Sequence, residues 1–232
     1  MSFDAWPQTA EMREAFSEEL CDAGGKVIDT FDDGGGQIYV RGTLPNLREL
    51  RPGDRVQAGV AMRGTDTDIR VHPYVFRLVC SNGAIRAEAV QTRVIEVDDP
   101  VRGEVMASLR EAVRDCCCAE AFDQSARAMR GAMEREADTV LSLMPLMSRL
   151  PRDVVGKLLT QILGEFRRGG DRSRYGLMNA VTATARQQKR DPELRWRLEE
   201  FGGAIPAMLE SKPRAREQTR DRRAPREALV SA

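Results

Sequence analysis

The chain is poor in the residues that most often carry chemistry. It has one histidine, His72, which excludes multi-histidine metal sites and leaves a single choice for a histidine general base. Aromatics make up only 5%, so the core must be built from Leu, Val, Ala and Met. No apolar run approaches the ~20 residues that span a bilayer, and the polar, acidic opening "MSFDAWPQTAEMREAF" lacks the character of a secretory signal. Net charge is absent as well: 36 Lys and Arg balance 36 Asp and Glu, which argues against a globally basic nucleic-acid binder but leaves local patches open. The five cysteines, three of them contiguous, fit no disulfide framework and indicate a reducing, cytoplasmic setting. GxSxG, HExxH and GxGxxG are all missing.

The text that is present changes period along the chain. Residues 8–21 place Met12, Ala15, Phe16 and Leu20 at helical spacing, and Gly24-Gly25 ends that helix. From 26 to about 97 the pattern is strand-like. "GQIYVRGTL" alternates, "RPGD" at 51–54 suits a type II turn, "RVQAGVAMRG" is a further strand, and "TDTD" at 65–68 is a polar loop. "TRVIEV" at 92–97 continues the second strand of the hairpin that follows Asn82-Gly83 or starts another. Asp99 and Pro100 then open a helical half as cap and first turn. Apolar residues recur at 105, 109, 113 and 116, then at 122, 126, 129 and 133. Pro145 should kink or end a helix, "PRDVVGKLLTQILGEF" carries a wide apolar face, Ser173 caps the next helix, and "DPELRWRLEEF" starts another that Gly202-Gly203 closes.

The resulting expectation is an α+β fold: an N-terminal helix, an antiparallel sheet of hairpins, then a C-terminal helical half packed on it. One domain covers 1–211, with its sheet part at about 26–97 and its helical part at about 99–211. The basic tail at 212–232 has too few apolar residues to fold alone.

In "HPYVFRLVCSNGAI" (72–85) a histidine and a cysteine precede an Asn-Gly pair. Asn82-Gly83 predicts a two-residue type I′ turn. That register sets Cys80 opposite Ile85, Leu78 opposite Ala87 and Phe76 opposite Ala89, with Arg77 facing Glu88 and Val75 facing Val90. His72 and Cys80 would then lie roughly 27 Å apart, too far for a nucleophile and its base. Both are read as sheet residues, with Cys80, like Cys21, a small core hydrophobe.

Other motifs also favour bland readings. Neighbouring residues on a helix point about 100° apart, so Cys116, Cys117 and Cys118 cannot converge on one zinc and are read as packing residues. "DDGGGQ" lacks the Lys and Ser/Thr of a phosphate loop and reads as a hairpin loop. Asp54, Asp66 and Asp68 form a magnesium cluster only if the fold gathers them. Positive charge concentrates in two places. One is Arg167, Arg168, Arg172 and Arg174 with Tyr175 beside them; the other is the tail, including Arg220, Arg222 and Arg223. Helix, glycine turn and basic helix could also be a helix-turn-helix.

Two blocks carry a resemblance. "VFRLVCSNGAI" resembles an Arg-x-Val-Cys-x-Asn segment, and "SRYGLMNAVTATAR" a Trp-Gly-x-x-Asn-Ala-Val-Thr segment, of phage- and plasmid-type proteins grouped under a domain of unknown function. The matching positions are Arg77, Cys80 and Asn82, then Gly176, Asn179, Ala180, Val181 and Thr182, with Tyr175 where the family has Trp. The resemblance covers roughly 26–190. It implies mobile elements, where DNA replication, recombination and annealing are common, but no settled chemistry. Cys80, Asn82, Gly176, Asn179 and Thr182 are read as structural links between the sheet and helical halves.

The functional expectation is a non-enzymatic DNA-transaction protein that binds single-stranded DNA, with no cofactor or metal, as a homo-oligomer. Its contacts would be Arg167, Arg168, Arg172, Arg174, Tyr175, Arg77, Arg86 and the tail arginines. The alternatives are an assembly or anti-host module with a host or phage protein partner, using Met129, Met133, Met144 and Met147 as a contact face, and a metal-dependent enzyme using Asp66, Asp68 and His72.

Overall fold

The computed structural model describes residues 6–89, 91–96 and 101–208. Helix α1 (Thr9–Asp22) buries Met12, Ala15, Phe16 and Leu20, and its chain exits through Gly24 at φ +75°. Strands β1 (Lys26–Asp32), β2 (Ile38–Arg51), β3 (Asp54–Gly64) and β4 (Asp68–Arg77) then pair in sequence order, all antiparallel. β1 carries a bulge between Val27 and Asp29. The last strand shares its far side between two short partners: β5 (Asn82–Ile85) pairs with residues 74–77, and β6 (Arg93–Glu96) with residues 68–71. The "DDGGG" segment is the β1–β2 loop, where Asp33 Oδ1 accepts from the Gly35 and Gln37 amides. Gly53, at φ +78°, makes the 51–54 turn that no residue with a Cβ adopts cheaply.

Six helices follow: α2 (Arg102–Cys116), α3 (Ala119–Met133), α4 (Thr139–Arg149), α5 (Arg152–Gly169), α6 (Arg174–Gln187) and α7 (Pro192–Ala204). Ser173 accepts from the Gly176 amide and Asp191 from the Leu194 amide, the two caps that the sequence predicts. Asp99 and Pro100 lie outside the described residues; the described part of α2 begins after Val101. The fold is α+β. Because alternate residues of a strand point to opposite faces, the sheet has two different sides. On one, Ile38, Val40, Val60, Met62 and Val71 pack with Phe16, Leu109, Phe122 and Met129 in the main apolar core. On the other, Tyr39, Ala61, Tyr74 and Ile85 pack with Trp196 of α7.

Several sequence expectations shift. A hairpin joins β4 to β5, but its turn is Leu78–Ser81, so Arg77 faces Asn82 and Tyr74 faces Ile85. Ser81, at φ +50°, takes the left-handed position. Tertiary packing has claimed the Asn-Gly pair. The Asn82 amide donates to Thr182 Oγ1 at 2.6 Å, and a Cβ on Gly83 would sit 1.9 Å from the Tyr74 hydroxyl. Cys80 therefore lies exposed on the turn, and Cys21 is exposed as well, so neither is a core residue. Pro145 lies within α4 and does not end it. Gly202 and Gly203 likewise lie inside α7, where the helix backbone packs closely on α6 and on β5 respectively. Of the cysteine triplet, Cys116 is buried, Cys117 half-buried and Cys118 exposed, spread around a helix junction. Burial pushes the Cys116 thiol up, and Cys117 up to about 12, which leaves both protonated at neutral pH.

Candidate nucleic-acid interface

The sheet face beneath α7 is built from polar and aromatic residues. Arg41, 1% exposed, donates from Nε to Glu199 Oε2 at 2.7 Å and lies 3.4 Å from Asp29. Arg195 closes the square, with 3.0 Å to Glu199 and 2.7 Å to Asp29. The Tyr39 hydroxyl donates to Glu193 at 2.8 Å, and Arg63 approaches the same carboxylate. His72 contacts Thr92 through Nδ1 and stacks near Trp196. Burial, with help from Arg70, pulls the His72 pKa down to about 4, so the ring is neutral at pH 7.

Beside this layer lies a cleft of about 480 Å3 between β1, β2 and β4 on one side and the α6–α7 connection on the other. Its sheet side presents Phe31, Tyr74 and Phe76; its other side presents Arg186 and Lys189. Phe31 is 37% exposed and Ile28 39%, large apolar groups left to solvent. Arg41, Arg195 and Asp29 also line it, but these neutralise one another with Glu199. The surplus is positive: Arg186, Lys189 and the following Arg190 are exposed, and the Arg186 guanidinium donates to the Cys80 carbonyl.

The cations singled out in the sequence fare unevenly. Arg167, Arg168 and Arg172 are exposed at the α5–α6 turn, with Arg168 bound to Glu165. Arg174 is buried and donates to the Met208 carbonyl. Arg86 is buried beneath α7, donating to the Gly203 carbonyl, and so cannot meet a nucleic acid. Tyr175 is fully buried; its hydroxyl donates to Asp54, and the Arg51 and Arg77 guanidiniums stack over its ring. Arg77 clamps Asp54 with two bonds of 2.7 and 2.8 Å. Arg77 is thus held by a carboxylate, Arg86 and Arg174 donate to backbone carbonyls, and Tyr175 is packed beneath two guanidiniums. Arg220, Arg222 and Arg223 lie outside the described residues. Helix α6 buries Arg174–Met178, Ala180–Thr182, Thr184 and Ala185, so it cannot enter a major groove as a recognition helix.

The structure brings the two sequence blocks together. Arg77, Cys80, Asn82, Gly176 and Asn179 line a second cleft, of about 290 Å3, with Arg51 and Arg168 among its other walls. Asn82 also donates to the Asn179 carbonyl at 3.3 Å, tying β5 to α6. Gly176 is dictated by contact, since a Cβ there would meet the Asp171 carbonyl oxygen at 2.0 Å.

No family model, curated protein or solved structure matches the chain. Among the described residues no three His, Cys, Asp or Glu side chains gather as metal ligands. Asp54 is engaged by Arg77, and Asp68 by Arg70 and Thr65. No described helix is long and apolar enough to cross a membrane.

Sequence reasoning missed the cleft's own residues. "RQQKR" at 186–190 is a basic cluster visible in the text; the exposure of Phe31 and the partial exposure of Phe76 depend on where the α6–α7 connection lies, which no local pattern records.

Proposed function

We propose that the protein binds single-stranded DNA along the cleft beside α7, in recombination or annealing of the phage and plasmid kind that the two sequence blocks imply. The observation that carries this reading is the placement of solvent-exposed Phe31, with Phe76 beside it, against the exposed cations Arg186 and Lys189. Bases have an apolar face and phosphates a charge, so a strand can stack on the rings while its backbone follows the cations. A duplex hides its base faces and would use only the charge. Arg167 and Arg172, exposed at the α5–α6 turn, extend the positive surface.

A fluorescence-anisotropy titration with a labelled oligo-dT tests it. Phe31→Ala with Phe76→Ala is expected to weaken binding by about 10- to 100-fold, at ~1–3 kcal/mol per stacked base. Arg186→Ala with Lys189→Ala should flatten the salt dependence by about 1.4 in the log–log slope, at ~0.7 per phosphate contact on a single strand. Wild-type affinity no tighter than ~10 μM at low salt would sink the proposal.

A second reading rests on α4, which leaves Val140 70%, Leu141 49%, Met144 54% and Met147 43% exposed beside a groove of about 500 Å3 that Leu146, Leu150 and Phe201 line together with Glu88, Arg197 and Glu200. Such a face suits contact with a second copy or another protein. Met129 and Met133 belong to the core and take no part. Light scattering should find an oligomer that Val140→Glu with Met144→Glu dissociates; a wild-type monomer at ~100 μM would end this reading, since interfaces of this kind usually hold at micromolar concentrations or below.

A further inference from the structure

The groove of about 500 Å3 between α4 and α7 combines an apolar surface with an acidic one. Leu146, Leu150, Phe201 and Met208 supply the first, Glu88 and Glu200 the second. Arg197 also lines it, but Glu193 holds that guanidinium at 2.7 Å. The sheet cations that act on Glu200 are committed elsewhere, Arg63 to Glu193 and Arg70 to Asp68. His72, 3.4 Å from Glu200, is neutral at pH 7. The surplus charge of the groove is therefore negative. Burial raises the Glu200 pKa, a cost that an incoming cation offsets.

Met208, which lines this groove, is also the last described residue. The sequence beyond it has the complementary character. Residues 209–232 carry seven Lys and Arg against four Asp and Glu. After Leu209 their only large apolar side chains are Leu229 and Val230, with Arg226 three positions before the pair. A coil of the 17 residues 209–225 has an r.m.s. span of about 20–25 Å, enough to return this segment to the groove beside which it starts. Tethering sets its effective concentration near ~1 mM, far above that of a second copy at micromolar concentration. The tether favours this occupant over any other molecule.

We propose that residues 226–230 dock in the α4–α7 groove of their own chain, Leu229 and Val230 against Leu146, Leu150 and Phe201, and Arg226 beside Glu88 and Glu200. Docking closes residues 209–225 into a loop with six Lys and Arg against three Asp and Glu, a basic surface for phosphates. The groove and the cleft assigned to the single strand share no residue, so the docking does not rest on that assignment.

Photocrosslinking of the full chain tests it, with p-benzoylphenylalanine in place of Leu229 and protein at ~1 μM, well below the effective concentration of the tether. The product is expected at monomer size, with its crosslinked peptides within 143–150 and 197–208. Glu88→Lys, at an exposed position, should lower the yield about threefold, as loss of one surface ion pair does. Crosslinks at the mass of a dimer assign the groove to a second copy and overturn the proposal. Crosslinks elsewhere on the chain overturn it too, as does a pattern equal to that of the same probe at Thr219.

Trypsin supplies an independent measurement. Initial cleavage after Arg226, relative to Arg214, is expected to be about tenfold slower in the wild type than in Leu229→Ala with Val230→Ala. That ratio is what a segment of ~0.1 mM affinity gives at an effective concentration of ~1 mM. Both substitutions lie outside the described core, so the fold is kept. Equal rates in the two proteins overturn the docking whatever the crosslinks show.

Discussion

Replacing Glu199 by leucine is expected to destabilise the protein by about 3–5 kcal/mol, lowering Tm by roughly 6–20 °C for a chain of this size. The reason is what remains. Arg41 and Glu199 are 1% and 2% exposed, so removing the carboxylate strands a guanidinium that cannot reach water. Its other carboxylate, Asp29, lies 3.4 Å away and is held more closely by Arg195 at 2.7 Å. Arg41→Met should cost a similar amount, by stranding Glu199 against Arg195 alone. The double variant should cost at least ~2 kcal/mol less than the sum of the two, because a buried pair replaced by apolar groups leaves no uncompensated charge. Chemical denaturation of the four proteins measures the coupling; additive effects, or a Glu199→Leu cost under ~1 kcal/mol, would show that the pair does not hold α7 to the sheet.

Gly203→Ala should cost about 3 kcal/mol, at the upper end of what overpacking does. The added Cβ would lie 1.8 Å from the Ile85 carbonyl oxygen and 2.7 Å from its carbon. These are backbone atoms of β5, and Ile85 is held in register with Tyr74, so the strand cannot retreat without losing its pairing. The helix would lift instead, pulling Trp196 from the layer it shares with Tyr39 and Ile85. Gly156→Ala is the matched control: it lies inside α5 with nothing within 4 Å of the new methyl, and should stabilise by about 0.5–1 kcal/mol through helix propensity. Thermal unfolding of both variants decides the matter; equal Tm values would mean that α7 has slack where the contact distances show none.

The sequence made the scaffold readable where local rules govern. Caps at Ser173 and Asp191, the turn at 51–54 and the segregation of strands from helices are each decided within a few residues. The β4–β5 hairpin was half readable. Asn82-Gly83 has the local chemistry of a turn, but a buried amide bond to Thr182, 100 positions away, and a tyrosine ring over Gly83 outweigh it. Gly202-Gly203 misleads for the same reason, as a pair that resembles a stop yet serves close packing. The site was less legible still. Arg86, Arg174 and Tyr175 look like surface cations and an aromatic neighbour, and their burial follows from partners that no sequence spacing announces. Conversely, the helix that covers Arg41 comes 158 residues later. The convergence of the two sequence blocks on one cleft is likewise a matter of topology.

One detail of β1 bears on solubility. That strand ends the β1–β5 order, so among the described residues its outer amides and carbonyls have no strand neighbour. An open strand can template pairing with another molecule. Here the bulge at Val27/Asp29 breaks the regular spacing a second molecule would need, and Lys26, Asp29 and Asp32 place charges along it. The kink that sets Asp29 against Arg41 thus also guards the molecule against fibre-like self-association.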